Sequence, residues 1–471
     1  DPTGGTNGDG LIDISNIDIP ESSEITIQYD VQVESGLANG TIVTNQAGLH
    51  AAGVLLVNSD DPFVNGQSSP DVMGDEDPTI VLIEAEQPVG LAKTTTQTTA
   101  TIGEEFSYEI TIPAAPHTAP LYDVRIIDDL DTGSVADLEF VSASVVSGPG
   151  TWTLQNTGDD INVVLEDLSG GIDIPVGEQA VFEITVRLQD TGTNVAGLDF
   201  TNTASYTYNL IDGTPATERP GIPGASGTMT VVEPELTLEK TGPPQMRIGT
   251  PATFTLNVHN TGESPAWNVT IGDLLADEVD GGTCDAPPQN ITAQVFESDG
   301  TTAVSGVLAA GVDYTATFDG APNCTLTFDF LTTDAAVGAD QRLIVNYDAT
   351  LDAGSQENAA LTNIAGATEW FGLDVSDGNN VPYARTYTRV ITDGTVGTLD
   401  HEDAHTTEVF TPVLNFTKTA INTSTGENPA TTAAPGDTIR YVLQVENTGD
   451  TNVADFSIVD ELDSLNALPY F

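Results

Sequence analysis

Only three lysines occur in the 471 residues, Lys93, Lys240 and Lys418, and each has the same neighbourhood. Two positions before each stands an apolar residue, Leu91, Leu238 or Phe416, so in an extended strand the two share a face. Lysine is among the side chains least often buried, and ordinary surfaces carry many. A chain that places all its lysines on an apolar face needs a chemical reason. Asparagines recur in the same way: Asn45 between Val43 and Ala47, Asn202 between Phe200 and Ala204, Asn363 between Leu361 and Ala365. Acids follow suit, with Asp128 on the parity of Ile126, Asp273 on that of Ile271 and Asp460 on that of Ile458. A buried lysine, asparagine and carboxylic acid are the three groups that a spontaneous isopeptide bond requires. Desolvation lowers a lysine pKa and raises a carboxyl pKa, which favours a free amine beside a protonated acid. The amine can then attack the asparagine carbonyl while the acid moves protons and ammonia leaves. The same residues also fit a plain ion pair, with the lysine snorkelling to the rim of the core. A second acid set, Asp30, Glu183 and Asp348, follows the inward aromatics Tyr29, Phe182 and Tyr347 and therefore points outward.

The elements that must position these groups are repeated strands. Residues 90–130, 236–275 and 414–462 each begin with an apolar strand ending in Lys-Thr. A turn around Gly and a strand follow (FSYEITI, FTLNVHN or IRYVLQVEN), and the last strand of each ends at Asp-x-Leu. A second half-motif pairs SEITIQYDVQV with TIVTNQAGL, AVFEITVRL with FTNTASYTY, and RLIVNYDATL with LTNIAGATEW. Alternating β-branched strands between Gly, Pro and Asn turns predict an all-β chain of tandem Ig-like antiparallel β-sandwich domains arranged end to end. The order is the C-terminal half of a repeat (1–86), two complete repeats (87–232 and 233–411, the latter with an insertion at 276–341), and the N-terminal half of another (412–471). The joints carry Pro88, Pro234 and Pro412, which favours stiff stacking over floppy linkers. Since the chain opens inside a repeat, it reads as a piece of a longer protein.

The pattern Lys-Thr, Gly-x-x-x-x-(Phe/Tyr), Asn-Thr-Gly and Asn-Val-x-Ile-x-Asp-x-Leu, clearest over Lys240 to Leu275, resembles the conserved repeat domain known as domain of unknown function eleven. Such repeats stand in tandem in large prokaryotic surface proteins, so the resemblance implies a surface location and no activity. The lysine on the first strand with the asparagine on the last resembles the isopeptide-linked sandwich domains of Gram-positive pili and collagen adhesins.

Composition bounds the partners. Seventy-one acids against 11 bases give a formal net charge of -60, which repels nucleic acid and anionic lipid. No apolar run is long enough to span a bilayer. The two cysteines, Cys284 and Cys324, could form a disulfide or remain buried thiols. A ~40-residue loop closed by a disulfide would contribute about 4 kcal/mol. Calcium is the one cofactor the sequence suggests. Asn7, Asp9 and Asp13 in GTNGDGLID resemble an oxygen-ligand loop, although Gly5 stands where its first Asp belongs. Asp75 and Asp77, with Glu402 and Asp403, form acid clusters near the joints that either bind calcium or lie solvated. His401 and His405 have zinc spacing only on a helix, and their neighbours indicate a strand. Asn268, Asn290, Asn323, Asn415 and Asn422 head glycosylation sequons.

No phosphate loop, dinucleotide fingerprint or nucleophile elbow is present, so the chain reads as non-enzymatic, without a small-molecule substrate. The expected function is an extracellular stalk or filament on a prokaryotic surface, continued head to tail by further repeats or copies. The alternative is an adhesin-type module that recognises glycan or a neighbouring protein through its loops, with 276–341 as the candidate.

Overall fold

The computed structural model describes residues 12–33, 37, 39–64, 75–84, 90–394, 400–410, 414–449, 453 and 456–460. Two compact units partition the chain, Asp1–Gln87 with Thr214–Thr217, and Pro88–Gly213 with Glu218–Phe471. The protein is all-β, built from several mostly antiparallel sheets. Among the described residues the only helical turns are the 3-10 turns Pro215–Thr217 and Thr333–Ala335, and no helix is long and apolar enough to cross a membrane.

The larger unit holds two sandwiches of one design. In the first, the lysine-bearing sheet runs in the order Ala92–Thr94, Glu105–Ile112, Ala180–Leu188, Leu138–Ser147. The facing sheet orders Gln155–Asn156, Asn162–Glu166, Tyr122–Asp129, Thr203–Asn209 and Glu218–Pro220. Strand alternation sets the faces: Phe106, Tyr108, Ile110 and Ile112 are buried while Glu105 and Glu109 are exposed. Each buried side chain of this size contributes about 1.5–3 kcal/mol, and a one-residue slip would turn all of them outward.

The second sandwich repeats the order. Its lysine sheet is Leu236–Thr241, Ala252–Asn260, Arg342–Ala349, Gln289–Phe296. The facing sheet is Gln245–Arg247, Glu402–Phe410, Ala360–Phe371, Trp267–Leu274, Thr325–Phe330, Tyr314–Asp319. Leu238, Phe254, Leu256 and Tyr347 from one sheet meet Ile271, Phe328, Leu361 and Trp370 from the other in a single core.

Residues 276–341, expected as an insertion, instead supply the edges of both sheets. Gln289–Phe296 pairs with Arg342–Ala349 as Leu138–Ser147 pairs with Ala180–Leu188. Thr325–Phe330 flanks the aspartate strand as Asn162–Glu166 does. Low similarity between the two stretches hid this shared pairing. Cys284 and Cys324 form a buried disulfide with Cα atoms 5.5 Å apart, tying the approach to Gln289–Phe296 to the start of Thr325–Phe330.

Within this unit the two sandwiches meet through Arg385. Its guanidinium donates to Asp190 Oδ1 and Glu233 Oε1, each at 2.7 Å, and to the carbonyls of Thr191 and Asn194. Tyr387 donates to Glu233 at 2.8 Å, and the Arg187 guanidinium lies 3.4 Å from the Tyr383 ring centroid.

Leu414–Asn422 pairs with Ile439–Asn447, placing Lys418 opposite Leu443. Phe416, Tyr441 and Leu443 are exposed. In the smaller unit, Ile42–Asn45 pairs with Thr79–Leu82 and Gly48–Ala51 with Val54–Asn58. Residues 24–33 alternate as a strand should, yet form no ladder with any described residue. Their counterparts Ala180–Leu188 and Arg342–Ala349 each lie between two strands of a lysine sheet, and the smaller unit shows no such neighbours among its described residues. The Pro88 and Pro412 joints lie outside the described residues.

Candidate functional site

Each sandwich encloses one lysine–aspartate–asparagine cluster, and the ladders dictate its assembly. In the first, Asp128 pairs directly with Ala204, so Asn202, two positions earlier, points to the same inner face. In the second, Asp273 pairs with Ala365, and Asn363 stands at the same offset. Lysine comes from the opposite sheet: Lys93 pairs with Ile110 and Lys240 with Leu256. An aromatic ring lies near each amine, Tyr108 at 4.4 Å from Lys93 Nζ and Phe254 at 5.5 Å from Lys240 Nζ.

All six polar side chains are buried. Lys93 Nζ donates to Asp128 Oδ2 at 2.5 Å, and Lys240 Nζ to Asp273 Oδ2 at 2.7 Å. Burial lowers the Lys93 amine against the pull of Asp128, and raises the Asp128 carboxyl against the pull of Lys93. Burial likewise lowers Lys240, against Asp273 and Asp403. In the first cluster both shifts favour an uncharged amine beside an uncharged acid.

The asparagines are not satisfied as structural ones are. Asn202 is clamped by its backbone: its N–H donates to Ser226 Oγ at 3.0 Å, and its carbonyl accepts the Ser226 N–H at 2.9 Å. Neither Oδ1 nor Nδ2 of its side chain has a hydrogen-bond partner, and Asp128 Oδ1 has none. In the second cluster Asn363 Oδ1 and Asp273 Oδ1 are again without a partner. Here Asn363 Nδ2 donates to Tyr347 Oη at 2.9 Å, and that hydroxyl donates to Asp273 Oδ2 at 2.7 Å. Buried polar atoms are hydrogen-bonded in the large majority of cases, so the same two atoms orphaned in both clusters mark a shared role.

The other sequence candidates fall elsewhere. Lys418 pairs with Asp460 at 2.7 and 2.8 Å, but water reaches both side chains, which are 33% and 28% exposed. Asn45 is exposed and donates to Tyr29 Oη at 3.3 Å. Asp30 and Glu183 are exposed, and Asp348 accepts from Thr253 and Asn290 on the outer face.

Glu402 and Asp403 are neither solvated nor gathered for an ion. They begin the strand Glu402–Phe410 and are buried. Glu402 caps the turn at Thr392 and Gly394, and Asp403 accepts the Lys240 backbone N–H at 2.9 Å. Asn7 and Asp9 lie outside the described residues, Asp13 is exposed, and Asp75 and Asp77 are half-buried. Asp13, Asp75 and Asp77 belong to no group of three candidate ligands among the described residues. Among the described residues, three candidate ligands converge at Asp277 with the disulfide cysteines and at Asp123, Asp173 and Asp212, two groupings not expected from the sequence. His405 lies on a strand, with Nε2 at the Pro243 carbonyl, and His401 faces the Val390 carbonyl. Asn422 is buried with its amide on Asp437, so that sequon is closed to a glycan.

Arg385 was not expected from the sequence, nor were the contacts of Tyr347 and Asp403 with the second cluster. Only Tyr347 left a signal, since Tyr29 and Tyr347 both precede their asparagine by 16 residues.

No protein-family model matches the chain, and no curated protein matches its sequence. Among solved structures the chain is similar to bacterial surface adhesin and pilin domains. The C-terminal domain of the Streptococcus pyogenes antigen I/II-family protein AspA matches at 9% identity and a TM-score of 0.30, over 68% of this chain and 100% of that one. The Enterococcus faecalis MSCRAMM ACE, a surface protein that binds its ligands by the collagen Hug model, matches at 14% and 0.21, over 67% and 92%. The 35 kDa C-terminal fragment of the major pilin GBS80 of Streptococcus agalactiae matches at 14% and 0.23, over 69% and 92%. Scores this low describe a likeness of sandwich architecture and assign no family.

Proposed function

We propose that this chain is a stretch of an extracellular structural rod, a prokaryotic surface stalk or filament, whose sandwiches are each locked by a lysine–asparagine isopeptide bond. The observation that carries it is the repeated cluster, in which a buried asparagine in each sandwich holds its carbonyl oxygen without a hydrogen bond beside a buried lysine–aspartate pair. A merely structural ion pair has no need of that amide. Each repeat would be a segment of the rod, 1–86, 87–232, 233–411 and 412–471. The half repeats would be covered by further repeats of the same kind, in the same chain or in another copy, head to tail. The Arg385 contacts favour a stiff joint, and the resemblance of Lys240 to Leu275 to the domain of unknown function eleven fits the same reading. The adhesin alternative has less support, since the longer strands of 276–341 belong to the two sheets and leave 297–313 as its loop.

Intact mass tests the bond. Each one releases a single ammonia, about 17 Da, so the two sandwiches together should leave the reduced, denatured chain about 34 Da light. Tryptic mapping should then yield the peptides Lys93–Asn202 and Lys240–Asn363 as linked pairs. A full sequence mass would reject the covalent reading.

A further inference from the structure

Tyr347 is the one side chain in hydrogen-bond contact with the lysine, the aspartate and the asparagine of the second cluster. It lies in Arg342–Ala349 with its ring stacked on Phe254, centroids 5.6 Å apart and planes at 17°. Its hydroxyl touches all three reacting groups: it donates to Asp273 Oδ2 at 2.7 Å, and accepts from Asn363 Nδ2 at 2.9 Å and Lys240 Nζ at 3.1 Å. A phenol oxygen has one proton and two lone pairs, and all three are committed here. The tyrosine–asparagine pair recurs in the smaller unit, where Asn45 Nδ2 donates to Tyr29 Oη, again 16 residues away. In the first sandwich Ile184 takes the place of Tyr347, because Ile184 pairs with Tyr108 as Tyr347 pairs with Phe254, the ring near each lysine.

We propose that Tyr347 is a catalytic residue of the exchange, relaying a proton from Asp273 to the departing nitrogen of Asn363. This rests on the reading that Lys240 and Asn363 become joined. Lys240 Nζ, as a free amine, forms a bond to Asn363 Cγ, and the carbonyl electron pair moves to Oδ1. Cγ is now tetrahedral, and Nδ2 has the lone pair that an amide nitrogen lacks. The Tyr347 hydroxyl turns its hydrogen from Asp273 Oδ2 toward this new lone pair, and that proton passes to Nδ2 as the Asp273 carboxyl proton passes to Oη. The Cγ–Nδ2 bond breaks, ammonia leaves, and the pair on Oδ1 restores the carbonyl. Asp273 takes the proton that Nζ sheds, so acid and phenol end as they began. Burial beside Asp273 holds the Tyr347 phenol well above its ordinary range, so it enters as a donor and not as a base. In the first cluster Asn202 Nδ2 has no partner, and Asp128 has to deliver the proton itself.

The test uses the full chain isolated in urea, diluted to fold, quenched in acid at intervals and digested to read both linked peptides. Y347F should slow the Lys240–Asn363 link by roughly 10²-fold, within the usual range for general acid–base catalysis, and leave Lys93–Asn202 at the wild-type rate. An unchanged Lys240–Asn363 rate in Y347F overturns the relay. Formation of Lys93–Asn202 alone in wild type also overturns it while leaving the isopeptide reading intact. Absence of both links in wild type rejects that reading itself. If Y347F fails to fold its second sandwich, the wild-type rate in mixed light and heavy water decides. A curved dependence for the second link beside a straight one for the first supports two protons in flight, and a straight one for both refutes the relay.

Discussion

Asn202→Leu separates the covalent from the non-covalent account of the first sandwich, because the two predict opposite signs. The substitution keeps the side-chain size and leaves the Lys93–Asp128 pair in place. Without a covalent bond, it removes a fully buried amide that makes no hydrogen bond, and leaving such a group unpaired costs about 1–3 kcal/mol. A swap of similar volume costs less than about 1.5 kcal/mol, so the variant should match or exceed wild type. With the bond, the variant loses a cross-link that closes a loop of roughly 110 residues, worth about 4.7 kcal/mol in the chain-entropy model. At about 1–3 kcal/mol per molar urea, the midpoint for the first sandwich should fall by roughly 2 M. Hydrogen exchange in peptides covering Glu105–Ile112 and Ala180–Leu188 assigns the transition to that sandwich, and intact mass should show the deficit shrinking by about 17 Da. A variant with an unchanged deficit, or one as stable as wild type, would refute the reasoning.

Two further outcomes follow from the geometry. Bond formation in the first cluster should trace a bell against pH, since it needs a free Lys93 amine and a protonated Asp128 carboxyl. Burial moves these groups inward from 10.5 and 3.8, so both limbs should lie inside that interval as apparent constants of the pair, and a quenched-folding time course read by mass would measure them. A rate that climbs steadily to pH 10 would exclude Asp128 as the acid. Arg385→Ala removes four hydrogen bonds at the joint and should weaken it by about 2–3 kcal/mol, as faster exchange at residues 190–194 and 385–387 with both cores unchanged. Equal exchange in variant and wild type would mean that Arg385 does not hold the joint.

The sandwiches and most of each cluster were legible because both depend on alternation. Inward parity marked Lys93, Asp128, Asn202 and their counterparts, and those six are buried where two sheets face each other. Parity says which face a side chain occupies and nothing about its height along the strand. Phe182 therefore looked equivalent to Tyr347, whereas the ladder to the ring near the lysine places Ile184 there. Arg385 was hidden for another reason. Its partners Asp190, Thr191 and Asn194 lie nearly two hundred residues away in the other sandwich, and no local pattern encodes that contact. Glu402 and Asp403 looked like loop acids because charge is a poor guide to exposure when backbone N–H groups from a turn and a neighbouring strand are aimed at the carboxylates.

Lys418 shows what burial adds to these clusters. It has the strand position, the acid and the ring of the other two lysines, with Tyr441 4.6 Å from Nζ and Asp460 in bidentate contact. Its sheet face is nonetheless open to water, and the pair makes an ordinary ion contact. In the two complete sandwiches one facing sheet does two things at once: it excludes water from the lysine and brings the asparagine carbonyl to it. Desolvation and delivery of the electrophile are therefore coupled, and neither can precede the closing of the sandwich. A lysine in an unfolded or half-covered repeat stays a solvated cation, which cannot attack an amide. Such a chain would cross-link only repeats that have folded correctly, and the scarcity of lysine elsewhere leaves no competing amine.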